Sequence, residues 1–336
     1  MSRAAQLRPV SELASLPVAI DAMGGDRAPQ AIIEGARAAQ DEGIDVVLVG
    51  VPELLGDTLG LEVVACSEVI AMDDDPAQSI RTKKDSSLVI AAELVRDGRA
   101  CAMVSAGNTG ATMGAALLRM GRLPKVIRPC IGAPIPRFDA PPAVLADAGA
   151  NAECTPQMLL QFAQMAEAYV TARYGTARPS VGLLSIGEEA TKGTPMVKET
   201  HQLLADSGLQ FTGNVEGRDL IPSPVDVIVT DGFTGNVALK TLEGSLKFIM
   251  GVLGQVIGTD EETRAAGLTL LGHLMPYADK LNPDTTGGAM LLGLGGVCII
   301  SHGSSSATAI TNATRVGREL AMAGAVEAIA AAVQTS

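Results

Sequence analysis

Three features of the sequence predict a three-layer α/β/α fold built on a mostly parallel sheet. Short apolar runs alternate with helical patterns, and most runs end in a loop of glycines and small polar residues. The third feature is composition: hydrophobic residues make up 47% of 336 residues, aromatics only 2%, and there is no Trp. An interior without large rings must be filled by Ala, Val, Leu and Ile packed around 37 glycines. Repeated βα units do this by covering both faces of a sheet with helices. The length allows one large domain or two smaller ones, and either can bury a sizeable core. Residues 17–333 are expected to form a single domain, behind a loose tail at 1–16.

Taken in order, residues 18–20 form a strand leading into DAMGGD (21–26), and Pro29 opens a helix through residue 39. Strands follow at 46–49 and 63–70. Asp75 and Pro76 read as an N-cap with proline at the first helical position, and the helix runs to residue 97 after a turn near Lys83. The stretch 102–111, AMVSAGNTGA, reads as strand, small polar turn and helix start. Glycines there let the backbone approach a ligand, and the first N–H groups of the helix face an anion unpaired. The same grammar recurs where 144–146 enters DAGAN (147–151), 181–186 enters GEEATKG (187–193), 225–229 enters TDGFTGN (230–236) and 298–300 enters SHGSSS (301–306). In a parallel sheet these carboxyl-end loops are expected on one edge, where the site should lie.

The formal charge of −12 disfavours nucleic acid and anionic lipid in general. Five widely spaced cysteines without a CxxC pair argue against a disulfide framework or a zinc site. No apolar run reaches membrane-spanning length, and residues 1–16 lack the continuous apolar core of a signal peptide, so a cytoplasmic protein is expected. No nucleotide fingerprint is intact. The segment 293–298 lacks the third glycine and precedes a strand, and 187–194 lacks the Lys-Ser/Thr order of a P-loop. Asp73, Asp74 and Asp75 read as a solvated turn with a helix cap rather than a metal site. Neither cofactor nor metal is expected.

The loops DAMGGD, IRTKKDSS, SAGNTGA, DAGAN, GEEATKGTP, NVEGRD, DGFTGN and GGAMLLGLGG followed by HGSS resemble, as an ordered set over about 18–332, the bacterial phosphate acyltransferase family of phospholipid synthesis. One departure is Arg27, where that family has His after DAMGGD; a proton-transfer role at that position must be absent here. The resemblance implies a Rossmann-like fold of the isocitrate and isopropylmalate dehydrogenase group. It also implies transfer of an acyl group from acyl-[acyl carrier protein] to inorganic phosphate. Expected partners are the carrier protein, a second copy of the chain, the inner membrane surface and a downstream glycerol-3-phosphate acyltransferase. A short-acyl phosphotransacetylase using coenzyme A and a non-catalytic scaffold are the competing readings.

Attack of phosphate on a thioester needs a cradle for a dianion, donors for the developing oxyanion and help for the leaving thiol. The phosphate candidates are Gly24, Gly25, Asp26, Ser105, Gly107, Asn108, Thr109 and Gly110. Asn108 competes with a turn-forming reading. Lys192, in a glycine-flanked loop, and Asn236 are the oxyanion or catalytic candidates. Asp231 either orients a basic partner or makes an Asx turn. Of three histidines, His201 and His273 sit in helical surroundings, and His302 at a strand end is the candidate for orienting phosphate or protonating the thiol, against a loop-stabilising reading.

For the carrier protein, Arg119, Arg122, Lys125 and Arg128, with Arg137 beyond, form a basic segment free of acids, and Arg81, Lys83 and Lys84 a tighter cluster. The alternative for the longer segment is pairing with acids elsewhere in the fold. Residues 237–281 read as a helical hairpin broken near 259–262, whose apolar stripe serves a dimer and whose tip at 252–258 touches a membrane. Residues 156–169 offer either an acyl groove or core packing.

Overall fold

The computed structural model describes residues 8–257 and 259–334. The chain begins with α1 (Val10–Leu13), β1 (Val18–Asp21), α2 (Gln30–Asp41), β2 (Val46–Gly50), α3 (Pro52–Leu55) and β3 (Glu62–Ala65). It continues through α4 (Pro76–Thr82), α5 (Ser87–Arg96), β4 (Ala102–Ser105), α6 (Thr109–Met120), β5 (Cys130–Ile135), β6 (Ala143–Ala146), α7 (Pro156–Tyr174) and β7 (Ser180–Leu184). Then come α8 (Pro195–Ala205), β8 (Gln210–Val215), β9 (Val227–Val229), α9 (Gly232–Ile257) and α10 (Glu261–Leu281). The last elements are α11 (Pro283–Thr286), β10 (Ala289–Leu292), β11 (Val297–Ile300), α12 (Ala307–Met322) and α13 (Ala325–Gln334).

Eleven strands form a single sheet in the order β3-β2-β1-β4-β11-β10-β5-β6-β9-β7-β8. The first five in that order are mutually parallel, and β6, β9, β7 and β8 are mutually parallel. Between the two sets, β10 is antiparallel to both β11 and β5, and β5 is antiparallel to β6. The two parallel halves therefore run in opposite directions. The expectation that every carboxyl-end loop shares one edge is corrected accordingly: DAMGGD, SAGNTG and SHGSSS gather at one edge, and DAGAN, GEEATKG and TDGFTGN at the other.

Both faces are apolar, as a sheet buried on two sides requires. On one, Ile20, Val104, Val144, Val229 and Ile299 pack with α2, α7, α12 and α13 in one core cluster. On the other, Ala19, Met103, Ile131, Leu145 and Cys298 pack with α5 and α6, while α9 contributes the half-buried Ala238, Leu239 and Leu242. The second face is thus thinly covered over β5. Helix α7 is buried nearly all round, with Leu159, Phe162, Met165 and Tyr169 fully inside, so this segment is core and not a groove. Thr155 caps it by accepting from the Met158 N–H, and Gly175 ends it at φ 72°.

The tail is less loose than its composition suggests. Arg318 of α12 donates to the carbonyls of Leu13, Ala14 and Leu16, at 3.2, 2.5 and 3.0 Å. Residues 1–7 lie outside the described residues. Among those described, no helix is long and apolar enough to cross a membrane.

Candidate active site

At the edge where β1, β4 and β11 end, Asp21 is the organising side chain. It is fully buried, and burial pushes its carboxyl up, against hydrogen bonds from Ser87, Ser105, Met23 and Gly24 that pull it down. Ser105 Oγ donates to Asp21 at 2.7 Å and accepts from the Gly107 N–H at 3.0 Å. Gly24 is pressed so tightly against this pair that a Cβ would stand 2.5 Å from Asp21 Oδ2 and 2.7 Å from the Gly107 nitrogen. The third loop closes over them as the Asp26 N–H donates to the Gly303 carbonyl at 2.7 Å.

Asn108 caps α6 by accepting from Ala111 N–H at 3.1 Å, and its amide donates to the Met72 and Asp74 carbonyls at 2.9 and 3.2 Å. Its side chain is therefore committed to the turn. The N–H groups of Asn108, Thr109 and Gly110 have no protein acceptor among the described residues, leaving the start of α6 able to hold an anion.

At the other edge Asp147 plays the same organising part. Its carboxylate accepts from the N–H groups of Ile131, Gly149, Ala150 and Asn151 at 2.7–3.1 Å. Asn151 in turn accepts from the Gly232 N–H, setting the start of α9. A Cβ at Gly235 would lie 1.9 Å from the Asp147 carbonyl oxygen, so only glycine lets α9 dock this closely. Asp231 accepts from the N–H and hydroxyl of Thr234 at 2.9 and 2.8 Å, capping that helix. This is the turn reading of Asp231.

Helix α9 leaves this second edge and crosses the sheet toward the first. Beneath it lies a cavity of about 760 Å³. Its floor is Ile131, Ala133 and Ile135, the alternate side chains of β5, and its wall is Leu239, Leu242 and Leu246, one stripe of α9. One end is polar: Gly107, Thr109 and the loop His302–Gly303–Ser304–Ser305. Asn236 lines it near the DAGAN loop, beside Gly149. Within it, His302 Nε2 stands 3.1 Å from Glu243 Oε1, and Lys240 Nζ is 2.8 Å from Glu243 Oε2. Burial raises the Glu243 carboxyl, but the hydrogen bonds from His302 and Lys240 outweigh it and hold the group below its ordinary value. Lys247, exposed one turn on, completes the charged lining of α9.

A sequence profile described as "Fatty acid synthesis protein" matches residues 16–328. The phosphate acyltransferase of Elusimicrobium minutum is 47% identical over 322 residues, covering 93% of this chain and 94% of its own. That of Leptospira biflexa is 46% identical over 315 residues, covering 90% and 93%. The chain belongs to the phosphate acyltransferase family. Among solved structures, a phosphotransacetylase from Streptococcus pyogenes superposes with a TM-score of 0.59 at 18% identity, covering 95% of this chain and 96% of that one. A branched-chain phosphotransacylase from Enterococcus faecalis gives 0.60 at 16% identity, covering 91% and 99%. Similarity at this level shows a shared fold.

For this phosphate acyltransferase family member, the structure gathers some of the sequence candidates and separates others. Gly107, Thr109, Asn236 and His302 line one cavity, with Gly24, Gly25, Asp26 and Ser105 directly behind its polar end. Gly110 abuts Pro76 of α4, where a Cβ would come within 2.8 Å, which accounts for it by packing. Lys192 is exposed at the edge that holds the DAGAN loop and does not line the cavity.

The basic candidates are mostly engaged. Lys83 pairs with Asp74 at 2.5 Å and donates to the Val69 carbonyl. Arg119 lies 3.5 Å from Glu93, and Arg122 donates to the Val126 and Ile127 carbonyls. Beyond them Arg137 pairs with Asp226 at 2.8 Å. Pairing within the fold is thus the reading the geometry favours for these side chains. Arg81, Lys84, Lys125 and Arg128 are exposed. Sequence reasoning missed Lys240, Glu243 and Lys247, which recur on α9 at helical spacing among apolar residues; that mixed stripe was the available signal.

Proposed function

We propose that the protein transfers a fatty acyl group from acyl-[acyl carrier protein] to inorganic phosphate, releasing an acyl phosphate for phospholipid synthesis. The observation that carries this reading is one cavity with two characters: a polar end walled by glycine loops at the start of α6, continuous with an apolar trough between β5 and α9. The first suits a phosphate dianion and the second a hydrocarbon chain. The names of the homologous proteins support the same reading.

In this mechanism phosphate rests against the free N–H groups at 108–110 and attacks the thioester carbon directly. Asn236 stabilises the carbonyl oxyanion from the opposite edge, and His302 handles the proton. Holding both reactants in one site supplies the main rate advantage, because the attack becomes effectively intramolecular. Lys192 and Asp231 have no part in this version of the site.

The test is release of free carrier-protein thiol from acyl-[acyl carrier protein], measured with and without inorganic phosphate. Phosphate-dependent release is expected. Equal release without phosphate, or none at all, overturns the reading; release only from coenzyme A thioesters replaces it with a short-acyl phosphotransacetylase.

The hairpin of α9 and α10 exposes Phe248, Ile249, Val252, Val256, Leu268 and Leu270. We read this apolar flank as the interface with a second copy, since a soluble chain rarely leaves such a stripe uncovered. Sedimentation velocity should give a dimer that Phe248→Glu with Leu268→Glu dissociates. Membrane contact at the tip is a separate expectation, checked by liposome co-sedimentation of the intact dimer.

A further inference from the structure

We infer that Glu243 is a positioning residue for His302, holding the imidazole so that one nitrogen serves the reaction as its proton carrier. The inference rests on the acyl-transfer reading of the same cavity.

The geometry separates the two ring nitrogens. Nε2 is engaged by Glu243 at 3.1 Å, while Nδ1 has no protein partner among the described residues and the ring lines the cavity. With Nε2–H donating to the carboxylate, the neutral ring presents Nδ1 as a base. Glu243 is itself fixed: Lys240 holds its second oxygen at 2.8 Å, and α9 is anchored at its start by the Asp147 loop. The carboxylate thus orients the ring and stabilises the imidazolium when it forms.

The proton balance of the proposed reaction requires a single carrier. Hydrogen phosphate, carrying one proton, attacks the thioester carbon. A carbon–oxygen bond forms as the carbon–sulfur bond breaks. The phosphate proton passes to Nδ1 and from there to the departing sulfur, giving acyl phosphate dianion and free thiol. One group that accepts and then returns a proton is sufficient, so His302 needs no second acid.

The charged groups around the ring come from several elements. Lys240, Glu243 and Lys247 face the cavity from α9, Asp279 from α10 and Asp284 from α11. Asp26 approaches from the β1 loop, its carboxylate 3.4 Å from the position of a Cβ on Gly303. Of these, Glu243 alone holds a ring nitrogen.

The experiment compares wild type, Glu243→Gln, His302→Ala and the double variant. Gln keeps the size of the side chain and an acceptor oxygen but removes the charge. Glu243→Gln is expected to lower kcat about ten- to a hundredfold with the phosphate KM within about twofold. Adding Glu243→Gln to His302→Ala should cost nothing further. An unchanged kcat in Glu243→Gln, or full additivity in the double variant, overturns the inference while leaving the acyl-transfer reading intact.

A second measurement does not depend on turnover. The His302 ring nitrogens followed by 15N NMR in the ligand-free protein should report the Nε2–H tautomer in wild type, set by the Glu243 contact, and a mixture of tautomers in Glu243→Gln. Identical tautomer populations overturn the inference even if no substrate is turned over; failure of phosphate-dependent thiol release alone overturns the reaction assignment instead.

Discussion

Gly24 and Gly107 touch backbone to backbone: a Cβ on Gly24 would sit 2.8 Å from the Gly107 Cα. Two loops far apart in sequence, behind the neighbouring strands β1 and β4, are thereby pressed into one wall behind the polar end of the cavity. Gly24→Ala must push them apart or displace Asp21. It is expected to destabilise by about 1–3 kcal/mol, the usual cost of overpacking, and to raise the phosphate KM at least tenfold. Thermal melts alongside phosphate titrations check both effects.

The glycines of α9 divide into two kinds. Gly235 sits under the Asp147 carbonyl oxygen, whereas Gly244 has nothing within 4 Å of a Cβ position. Gly235→Ala is expected to disrupt docking of α9 and abolish most activity. Gly244→Ala should instead stabilise by about 0.5–1 kcal/mol through helix propensity. Paired denaturation curves decide it; equal effects would refute the assigned contact.

Asp226 ties β9 to its surroundings through Arg137 and Ser180. Burial raises its carboxyl, but these hydrogen bonds outweigh it and hold the group below the ordinary 3.8. A depressed carboxylate contributes stability that is present above the unfolded value and lost as pH falls through the folded one. Asp226→Asn should therefore melt lower than wild type at neutral pH, by about 1–3 kcal/mol for hydrogen bonds to a charged group. The gap should close in the acid range below 3.8. Calorimetry across pH tests the sign.

Asn108 holds two structures at once, the start of α6 and the loop carrying Met72, which lines the cavity. Asn108→Asp preserves the cap acceptor and deletes the donor. Expected is a stability loss of about 1 kcal/mol, faster hydrogen exchange at 72–74 and a raised KM for the acyl donor. Unchanged exchange in that loop would refute the clamp.

Layering and most helices were legible because local signals carried them. Asp75, Thr155 and Thr194 cap helices with their side chains, and proline follows each directly. Strands β5, β8 and β10 were not: CIGAPI contains glycine and proline, QFTGNV is half polar, and AMLL merges with the glycine run behind it. The reversal of direction follows from β10 and from the β5–β6 pairing, so missing those strands hid it. The His302–Glu243 pair was illegible for a different reason. It joins a loop to the middle of a helix through a sheet order in which β11 returns beside β4, and nothing local marks that return.

That return also sets an order of events during translation. Strand β11 lies between β4 and β10, so a growing polypeptide whose first nine strands are already made still lacks the piece that closes its sheet. Ser301 must emerge before it can bond to the Ser105 carbonyl, and Gly303 before it can accept from Asp26. The nascent protein on the ribosome therefore carries an open seam beside β4 and the DAMGGD loop, which closes only once β10, β11 and the loop behind them have been made.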